Sequence, residues 1–300
     1  MTDLECVTDI AALRSRRAEL SGRVAVVPTM GALHEGHADL IRAARRTADH
    51  VIVTVFVNPL QFGPGEDLDV YPRTLDADLT VAAREGADLV FAPGEAELYP
   101  EGRERLTTVR APEIGDVLEG ASRPGFFNGV LTVVAKLFGL TDPDVAVFGE
   151  KDFQQLAMVR RMVRDLNFDV EILAVPTVRE SDGLALSSRN SYLSAAERQT
   201  ALAIQRAIGA ARESPEPHQV AHGVLAEQDG LEIDYVAVAS QDFSVVAARA
   251  DEPPRVTATG EVGRLSGPAR LLIAAHVGST RLIDNAPVTI GEGNDAANHV

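Results

Sequence analysis

Along the first two thirds of the chain, short β-branched runs alternate with longer stretches whose apolar positions recur at helical spacing. The runs at 24–27, 51–57, 89–91, 145–148 and 170–175 predict strands, and the segments 37–48, 75–85, 129–140 and 153–166 predict helices. This alternation marks an α/β fold, a parallel sheet with helices on both faces, because parallel neighbours need a crossover between them. Ligands in such folds sit beyond the carboxyl ends of the strands. The unusual residues of this chain gather in the loops that follow those ends.

The alternation stops near Pro176. Residues 177–190 are rich in polar and small side chains and read as a long loop, so a boundary is expected there, with one domain over 1–176 and another over 177–300. Helices predicted at 195–212 and 220–228, with apolar runs at 233–238 and 271–277, suit a smaller α+β domain. The tail 291–300 has little apolar content and is expected to be disordered.

Composition narrows the function. A chain of 300 residues with 45% hydrophobic content can build one large domain or two smaller ones that share a cleft, and the second is expected. A net charge of -16 disfavours a nucleic-acid partner, which calls for a broad basic surface. It does not disfavour a nucleotide, which a few local cations and a helix N-terminus can hold. No apolar run reaches the length of about eighteen residues that suggests a membrane helix, and residues 1–20 lack a secretory pattern, so no membrane partner and a cytoplasmic location are expected. Cys6, the one cysteine, has no partner for an internal disulfide, and no His/Cys cluster has structural-zinc spacing.

The most informative segment is Val26-Val27-Pro28-Thr29-Met30-Gly31-Ala32-Leu33-His34-Glu35-Gly36-His37, a strand that passes through a glycine turn into a helix. Two histidines three apart can share one side of a first helical turn, where free N–H groups and the helix dipole favour phosphate. Imidazoles placed there can donate to phosphate oxygens as charge builds. A bare H-x-G-H match could equally be a pair of caps, but the preceding strand and turn favour a nucleotide site. The pattern resembles the HxGH signature of the nucleotidyltransferase superfamily, which includes class I aminoacyl-tRNA synthetases.

Three further segments follow predicted strands or the expected boundary. In Asn58-Pro59-Leu60-Gln61, the amides of Asn58 and Gln61 can orient a small hydroxy acid; read alone, Asn58-Pro59 is also an ordinary turn that leaves Gln61 unexplained. In Gly149-Glu150-Lys151-Asp152-Phe153-Gln154-Gln155, Lys151 brings an ammonium to a helix start, Asp152 caps that helix or orients a substrate hydroxyl, and Gln155 can share a cleft with Gln61. By itself this stretch also fits plain surface. In Val178 to Asn190, the run Leu186-Ser187-Ser188-Arg189 offers two hydroxyls and a guanidinium to phosphate from a mobile loop, or is a flexible linker.

Taken in this order, the four segments resemble the pantothenate synthetase (pantoate-β-alanine ligase) family. So do Tyr71-Pro72-Arg73-Thr74-Leu75, Leu131-Thr132-Val133-Val134-Ala135-Lys136-Leu137 and Arg281-Leu282-Ile283-Asp284-Asn285. The resemblance implies a Rossmann-like N-terminal domain, a smaller C-terminal lid domain and a homodimer. It implies transfer of AMP from ATP to the pantoate carboxylate, then attack of the β-alanine amine on the pantoyl adenylate. By the same resemblance Met30, Gly31, Ala32, Leu33, His34, Glu35, Gly36 and His37 bind ATP, with His37 the general acid and His34 its phosphate-binding neighbour. Gln61 and Gln155 correspond to pantoate-binding glutamines, Gln61 also lying near β-alanine. Gly149, Glu150, Lys151, Asp152, Val178, Leu186, Ser187, Ser188 and Arg189 correspond to further ATP contacts, with Lys151 and Arg189 counted with His34 and His37 as catalytic. Mg²⁺ is expected with ATP, and no protein ligand for it is evident beyond Asp78 as a candidate. A different adenylyltransferase would share the HxGH site but has no reason to keep both glutamines, and a nucleotide sensor would use the phosphate site without turnover.

One departure stands out. In Arg123-Pro124-Gly125-Phe126-Phe127-Asn128-Gly129 the family usually has histidine where this chain has Phe126. A phenyl ring cannot donate to phosphate, so a polar contact to the nucleotide or the intermediate is expected to be missing. Steady-state kinetics of Phe126→His are expected to show a lower Michaelis constant for ATP than the unaltered chain.

Overall fold

The computed structural model describes residues 4–243, 245–247, 255–256 and 267–290. The expected disorder at 291–300 falls outside them. In chain order the elements are β1 (Glu5–Val7), α1 (Ile10–Glu19), β2 (Val24–Thr29), α2 (Glu35–Thr47), β3 (His50–Val55), α3 (Leu75–Arg84), β4 (Leu89–Phe91), α4 (Glu95–Leu98), α5 (Glu119–Ser122), α6 (Phe126–Thr141), β5 (Val145–Gly149), α7 (Phe153–Asp165) and β6 (Glu171–Val175). There follow α8 (Ala195–Arg212), α9 (Pro217–Ala226), β7 (Leu231–Ser240), β8 (Val245–Ala247), β9 (Arg255–Val256), β10 (Gly267–Val277) and β11 (Thr280–Ile290). Two compact units divide the chain, Met1–Val178 and Arg179–Val300.

The first unit holds a parallel sheet in the order β1-β4-β3-β2-β5-β6. Side chains alternate across it. Ala25, Val27, Val51, Val53, Val145 and Val147 join Ile41 and Ala44 of α2 and Ala82 of α3 in one core. Their neighbours Val24, Val26, Ile52, Ala146 and Phe148 are buried on the other face, where α6 packs against β2 and α7 against β5. The sequence shows the central strands as near-continuous apolar runs for this reason. The edge strand β1 and helix α1 were not expected: β1 is three residues long, and α1 buries only Leu13.

Connections from β2 run one way, to β3 and then β4, and the later chain returns to the other side of β2 as β5 and then β6. The sheet therefore has a switch point between β2 and β5, where a crevice opens beyond the strand ends. Pro28 widens it. The Val24 carbonyl accepts from Asp144 N–H on the β5 side (2.9 Å) and the Thr29 carbonyl accepts from Phe56 N–H on the β3 side (3.0 Å). Alternation then turns Pro28, which has no N–H, towards β5. Pairing of β2 with β3 continues to Thr29, whereas pairing with β5 ends at Val26, although β5 itself runs on beside β6 to Gly149.

The second unit sets α8 and α9 against an antiparallel sheet in the order β11-β10-β7-β8-β9. Ile204, Ala207, Ile208 and Leu225 from the helices meet Val236, Val238, Leu271, Ile273 and Val288 from the sheet. Strand β11, met in the sequence only as the Arg281 to Asn285 motif, pairs with β10 along its length. The segment after Val178, expected as a mobile loop, is instead a tied hairpin. Arg179 bridges Ala185 and donates to both carboxylate oxygens of Asp284 (2.6 and 2.9 Å), and Asn190 donates to Glu180 (2.7 Å) and to the Ala185 carbonyl (3.0 Å). Arg198, 2.6 Å from Glu180, holds that carboxyl below its usual range through a direct hydrogen bond. The residue types that suggested a linker are the ones that make these local bonds.

Helix α6 lies unusually close to the turn after β3. A Cβ on Gly129 would come 2.1 Å from the Leu60 carbonyl oxygen, whereas Gly139 on the same helix has nothing within 4 Å. Gly129→Ala is expected to cost about 1–3 kcal/mol in urea unfolding through this backbone clash. Gly139→Ala, its control, is expected to be neutral or to stabilise by about 0.5–1 kcal/mol.

Candidate active site

Helix α2 begins at Glu35, after the turn that follows the carboxyl end of β2 and two residues before the expected start at 37. His34 is its N-cap: its Nδ1 accepts from the Gly36 N–H (3.1 Å), and the His34 N–H donates to Nδ1 of His37 (3.3 Å). The rings lie 4.2 Å apart between centroids, tilted by 39°. The two histidines therefore cap the helix, as the capping reading of this motif expects, and their rings lie side by side. Gly36 N–H meets the His34 ring and His37 N–H the His34 carbonyl (2.8 Å). The expectation of free N–H groups at this helix start is corrected at those two positions. What the pair offers an anion is its imidazoles: a neutral ring that accepts at Nδ1 carries its proton on Nε2.

Lys151 stands in a 3₁₀ turn, Glu150–Asp152, between β5 and α7, across the switch point from α2. It is near enough to His37 to act on it electrically. Burial first, then the neighbouring His34, then the Lys151 ammonium push the His37 imidazole down to about 3. The ring is therefore neutral at physiological pH before any anion binds, and a bound polyphosphate supplies the negative charge that would raise it again. Asp152 occupies the N-cap position of α7, but its side chain makes no cap bond, so the capping alternative is not the one observed.

The turn between β2 and α2 is set by Asp78. Gly31 (φ +83°) and Ala32 (φ +50°) are both left-handed, which points successive N–H groups inward. The buried Asp78 carboxylate, on the first turns of α3, accepts from Ala32 N–H (3.2 Å), Leu33 N–H (2.7 Å) and the Thr74 hydroxyl (3.2 Å). A carboxylate facing three donors of its own chain, at 2% exposure, is not presented as a magnesium ligand. Among the described residues no group of three or more His, Cys, Asp or Glu side chains is arranged to hold a metal ion.

Gln61 closes a 3₁₀ turn, Pro59–Gln61, after β3, next to β2 in the sheet. Its Oε1 accepts from Asn58 (3.0 Å) and its Nε2 lies 3.1 Å from the Met30 sulfur, leaving a second N–H on that nitrogen for a ligand. Asn58, expected to contact substrate, turns inward. It is buried, donates to Gln61 and to the Gly129 carbonyl (3.1 Å), and accepts from Leu60 N–H and from the Tyr99 hydroxyl (2.7 Å). All four of its hydrogen-bonding places are filled by protein, so it positions Gln61. Tyr99 was invisible as a site residue because nothing in its local sequence marks it. Gln155 is half-buried on α7, while the adjacent Gln154 turns inward to the Ile114 and Val117 carbonyls (both 2.9 Å).

Phe126 has a role that histidine would not fill in the same way. The Arg123 guanidinium lies 3.9 Å above its ring. That arginine also donates to both oxygens of Glu66 (2.9 and 2.5 Å) and to the Gln61 carbonyl (3.0 Å). The first unit thus gathers Met30 to His37, Gln61 and Lys151 around the ends of β2, β3 and β5, with Gln155 on the helix that follows Lys151. Val178 lies just past β6. Leu186, Ser187, Ser188 and Arg189 belong to the second unit, where Ser187 caps a 3₁₀ turn by accepting from Arg189 N–H (3.3 Å).

The parallel sheet and the paired histidines at its switch point define an α/β protein of the HxGH nucleotidyltransferase type. The family model for pantoate-beta-alanine ligase matches residues 5–287, and the chain belongs to that family. It is 54% identical to a pantothenate synthetase of Nocardioides sp. over 96% of this chain and 84% of that one, and 52% identical to one of Salinispora arenicola over 95% and 98%. Its structure is similar to that of a pantothenate synthetase from Thermus thermophilus, with TM-score 0.82, 44% identity, and coverage of 94% of this chain and 98% of that one. It is also similar to a pantoate-beta-alanine ligase from Francisella tularensis in complex with beta-gamma ATP and β-alanine, with TM-score 0.75, 33% identity, and 94% and 97% coverage. No described helix is long and apolar enough to cross a membrane.

The lowered His37 basicity has a consequence for stability. In the unfolded chain a histidine titrates near 6.5, so between there and about 3 the unfolded state binds the extra proton and acid destabilises the fold. At pH 5 this amounts to about 2 kcal/mol relative to neutral pH. Urea unfolding at pH 7 and pH 5 is expected to show that loss, and His37→Gln is expected to remove it.

Proposed function

We propose that this chain condenses pantoate with β-alanine at the expense of ATP, giving pantothenate, AMP and pyrophosphate through a pantoyl adenylate. Family membership supports the substrates, as do the beta-gamma ATP and β-alanine bound to the Francisella relative. The observation that carries the chemistry is the meeting of His34, His37 and Lys151 across the β2–β5 switch point.

In the first step a pantoate carboxylate oxygen attacks the α-phosphorus and the bond to pyrophosphate breaks. The Nε2 protons of the two imidazoles and the Lys151 ammonium meet the charge that gathers on the phosphates. Neutral His37 donates a hydrogen bond, and becomes a general acid only as bound polyphosphate raises its basicity. Magnesium enters with ATP as part of the substrate. In the second step the β-alanine amine attacks the acyl carbon, AMP leaves with the bonding electrons, and the amine nitrogen gives up its proton. The mixed anhydride turns a poor electrophile into a good one.

Gln61, held by Asn58 and Met30, fixes pantoate and lies near β-alanine, and Gln155 completes the acid site. Gly149 to Asp152 and Val178 contribute further ATP contacts. The second unit acts as a lid that adds Leu186 to Arg189 and keeps water from the adenylate. The 179–190 segment that carries them is tied within that unit by the Arg179–Asp284 and Asn190–Glu180 contacts. The working form is a homodimer in the cytoplasm.

Incubation with ATP and pantoate alone separates this reading from a different adenylyltransferase. Pyrophosphate exchange is expected to require pantoate, and exchange that requires a phosphorylated acceptor instead would refute the assignment. His37→Ala is expected to lower the exchange rate by about 10²–10³-fold. Retained ATP binding in calorimetry would accompany that loss, which a nucleotide sensor would not show.

A further inference from the structure

We propose that Asp78 is a positioning residue for the adenylylation step, acting as a built-in anion that fills the turn between β2 and α2 and so aims both histidines. The inference deepens the ATP-dependent reading given above and rests on it.

The turn has an unusual backbone. Gly31 and Ala32 are consecutive left-handed residues, a conformation that costs an alanine about 1–2 kcal/mol unless its surroundings fix it. What fixes it is the carboxylate. Ala32 N–H and Leu33 N–H converge on Oδ2 and Oδ1 of Asp78, one to each oxygen, and the Thr74 hydroxyl donates to Oδ1 as well. The turn closes tightly over the acid, for a Cβ on Gly31 would come 2.9 Å from Oδ2 and 3.1 Å from Val55 Cγ1. With aspartate at 78, position 31 has room only for glycine.

Two consequences follow for the site. The residue after Leu33 is His34, the cap of α2, whose N–H holds His37 by Nδ1. The chain from Asp78 to the His37 ring is thus three consecutive hydrogen-bonded or covalent links with no flexible side chain between them. In addition, the N–H groups of Ala32 and Leu33 are the donors that a nest would offer to phosphate, and Asp78 already occupies them. A polyphosphate at this edge must therefore rely on the imidazoles and Lys151, and on their correct aim.

Asparagine separates charge from volume at this position. It fits the same space, yet its single carbonyl oxygen can serve only one of the two N–H groups, and its NH₂ is set against the other. The turn relaxes and the imidazoles lose their aim. Asp78→Asn is expected to lower the maximal rate of pantoate-dependent pyrophosphate exchange by about tenfold or more, as misplacement of a reacting group does. The Michaelis constant for pantoate and the half-saturating magnesium concentration are expected to stay within about twofold, since neither ligand meets Asp78. The imidazole NMR signals of His34 and His37 are expected to shift in the variant.

Thr74→Val removes one of the three donors without charge or volume change. It is expected to lower the same rate by a smaller factor, about two- to threefold, and this holds the test open should Asp78→Asn fail to fold. Unshifted imidazole signals with an unaltered rate per folded molecule would overturn the proposal. So would a rise of about tenfold in half-saturating magnesium, which would make Asp78 a metal ligand. If the unaltered chain shows no pantoate-dependent exchange, the functional reading fails, and the NMR comparison still decides whether Asp78 aims the rings.

Discussion

A proline in the middle of a parallel sheet sets the plan of the first unit. Pro28 presents no N–H towards β5, so β2 and β5 separate just where the order of the sheet reverses. Apart from Val178, which follows β6, the groups assigned to the nucleotide in that unit stand on segments that leave this seam. A ladder that ran on to Thr29 would bring the two strands together and leave no room between the start of α2 and the turn that carries Lys151. The chemistry depends on a missing hydrogen bond.

Around the seam, the protein satisfies most of its own polar backbone before any ligand arrives. His34 takes up the Gly36 N–H, Asp78 the Ala32 and Leu33 N–H groups, and Asn58 the Leu60 N–H. Side chains that look like ligands for substrate are in several cases the fixtures that hold the true candidates still. This internal bonding explains how a chain of net charge -16 can prepare a place for a polyanion. The proposed attraction is local and directional, made of ring N–H groups and one ammonium, and the distant surface carboxylates are screened from it.

The fold was legible where periodicity is strong and the segment long. The central strands and helices α2, α3, α6 and α7 were placed to within a few residues, because burial on both faces writes apolar runs that local propensity does not oppose. Helix α6 starts earlier than expected, at Phe126, since the left-handed Gly125 before it ends the preceding turn. Strand β1 and helix α1 carry too few buried positions to stand out. In the site, the HxGH start, Lys151 and Gln61 stand out as candidates because strand-to-helix junctions advertise them. Tyr99, Glu66 and the true setting of Asp78 could not be read, since each acts through contacts with residues far away in sequence. The hairpin at 179–190 misled for a related reason: Ser, Asp, Gly and Asn compose both flexible linkers and tightly bonded turns, and only tertiary partners such as Asp284 decide between them.

The two histidines carry a double duty whose effect reaches beyond the reaction. Because the rings proposed to meet the nucleotide also close the first turn of α2, a replacement that cannot cap frays a helix whose Ile41 and Ala44 lie in the central core. Selection on folding and selection on turnover therefore press on the same atoms, and drift at position 34 or 37 is penalised even in a chain whose activity is not needed. Anyone redesigning this edge for another acceptor would have to supply a substitute cap, a serine or aspartate for instance, before altering the rings.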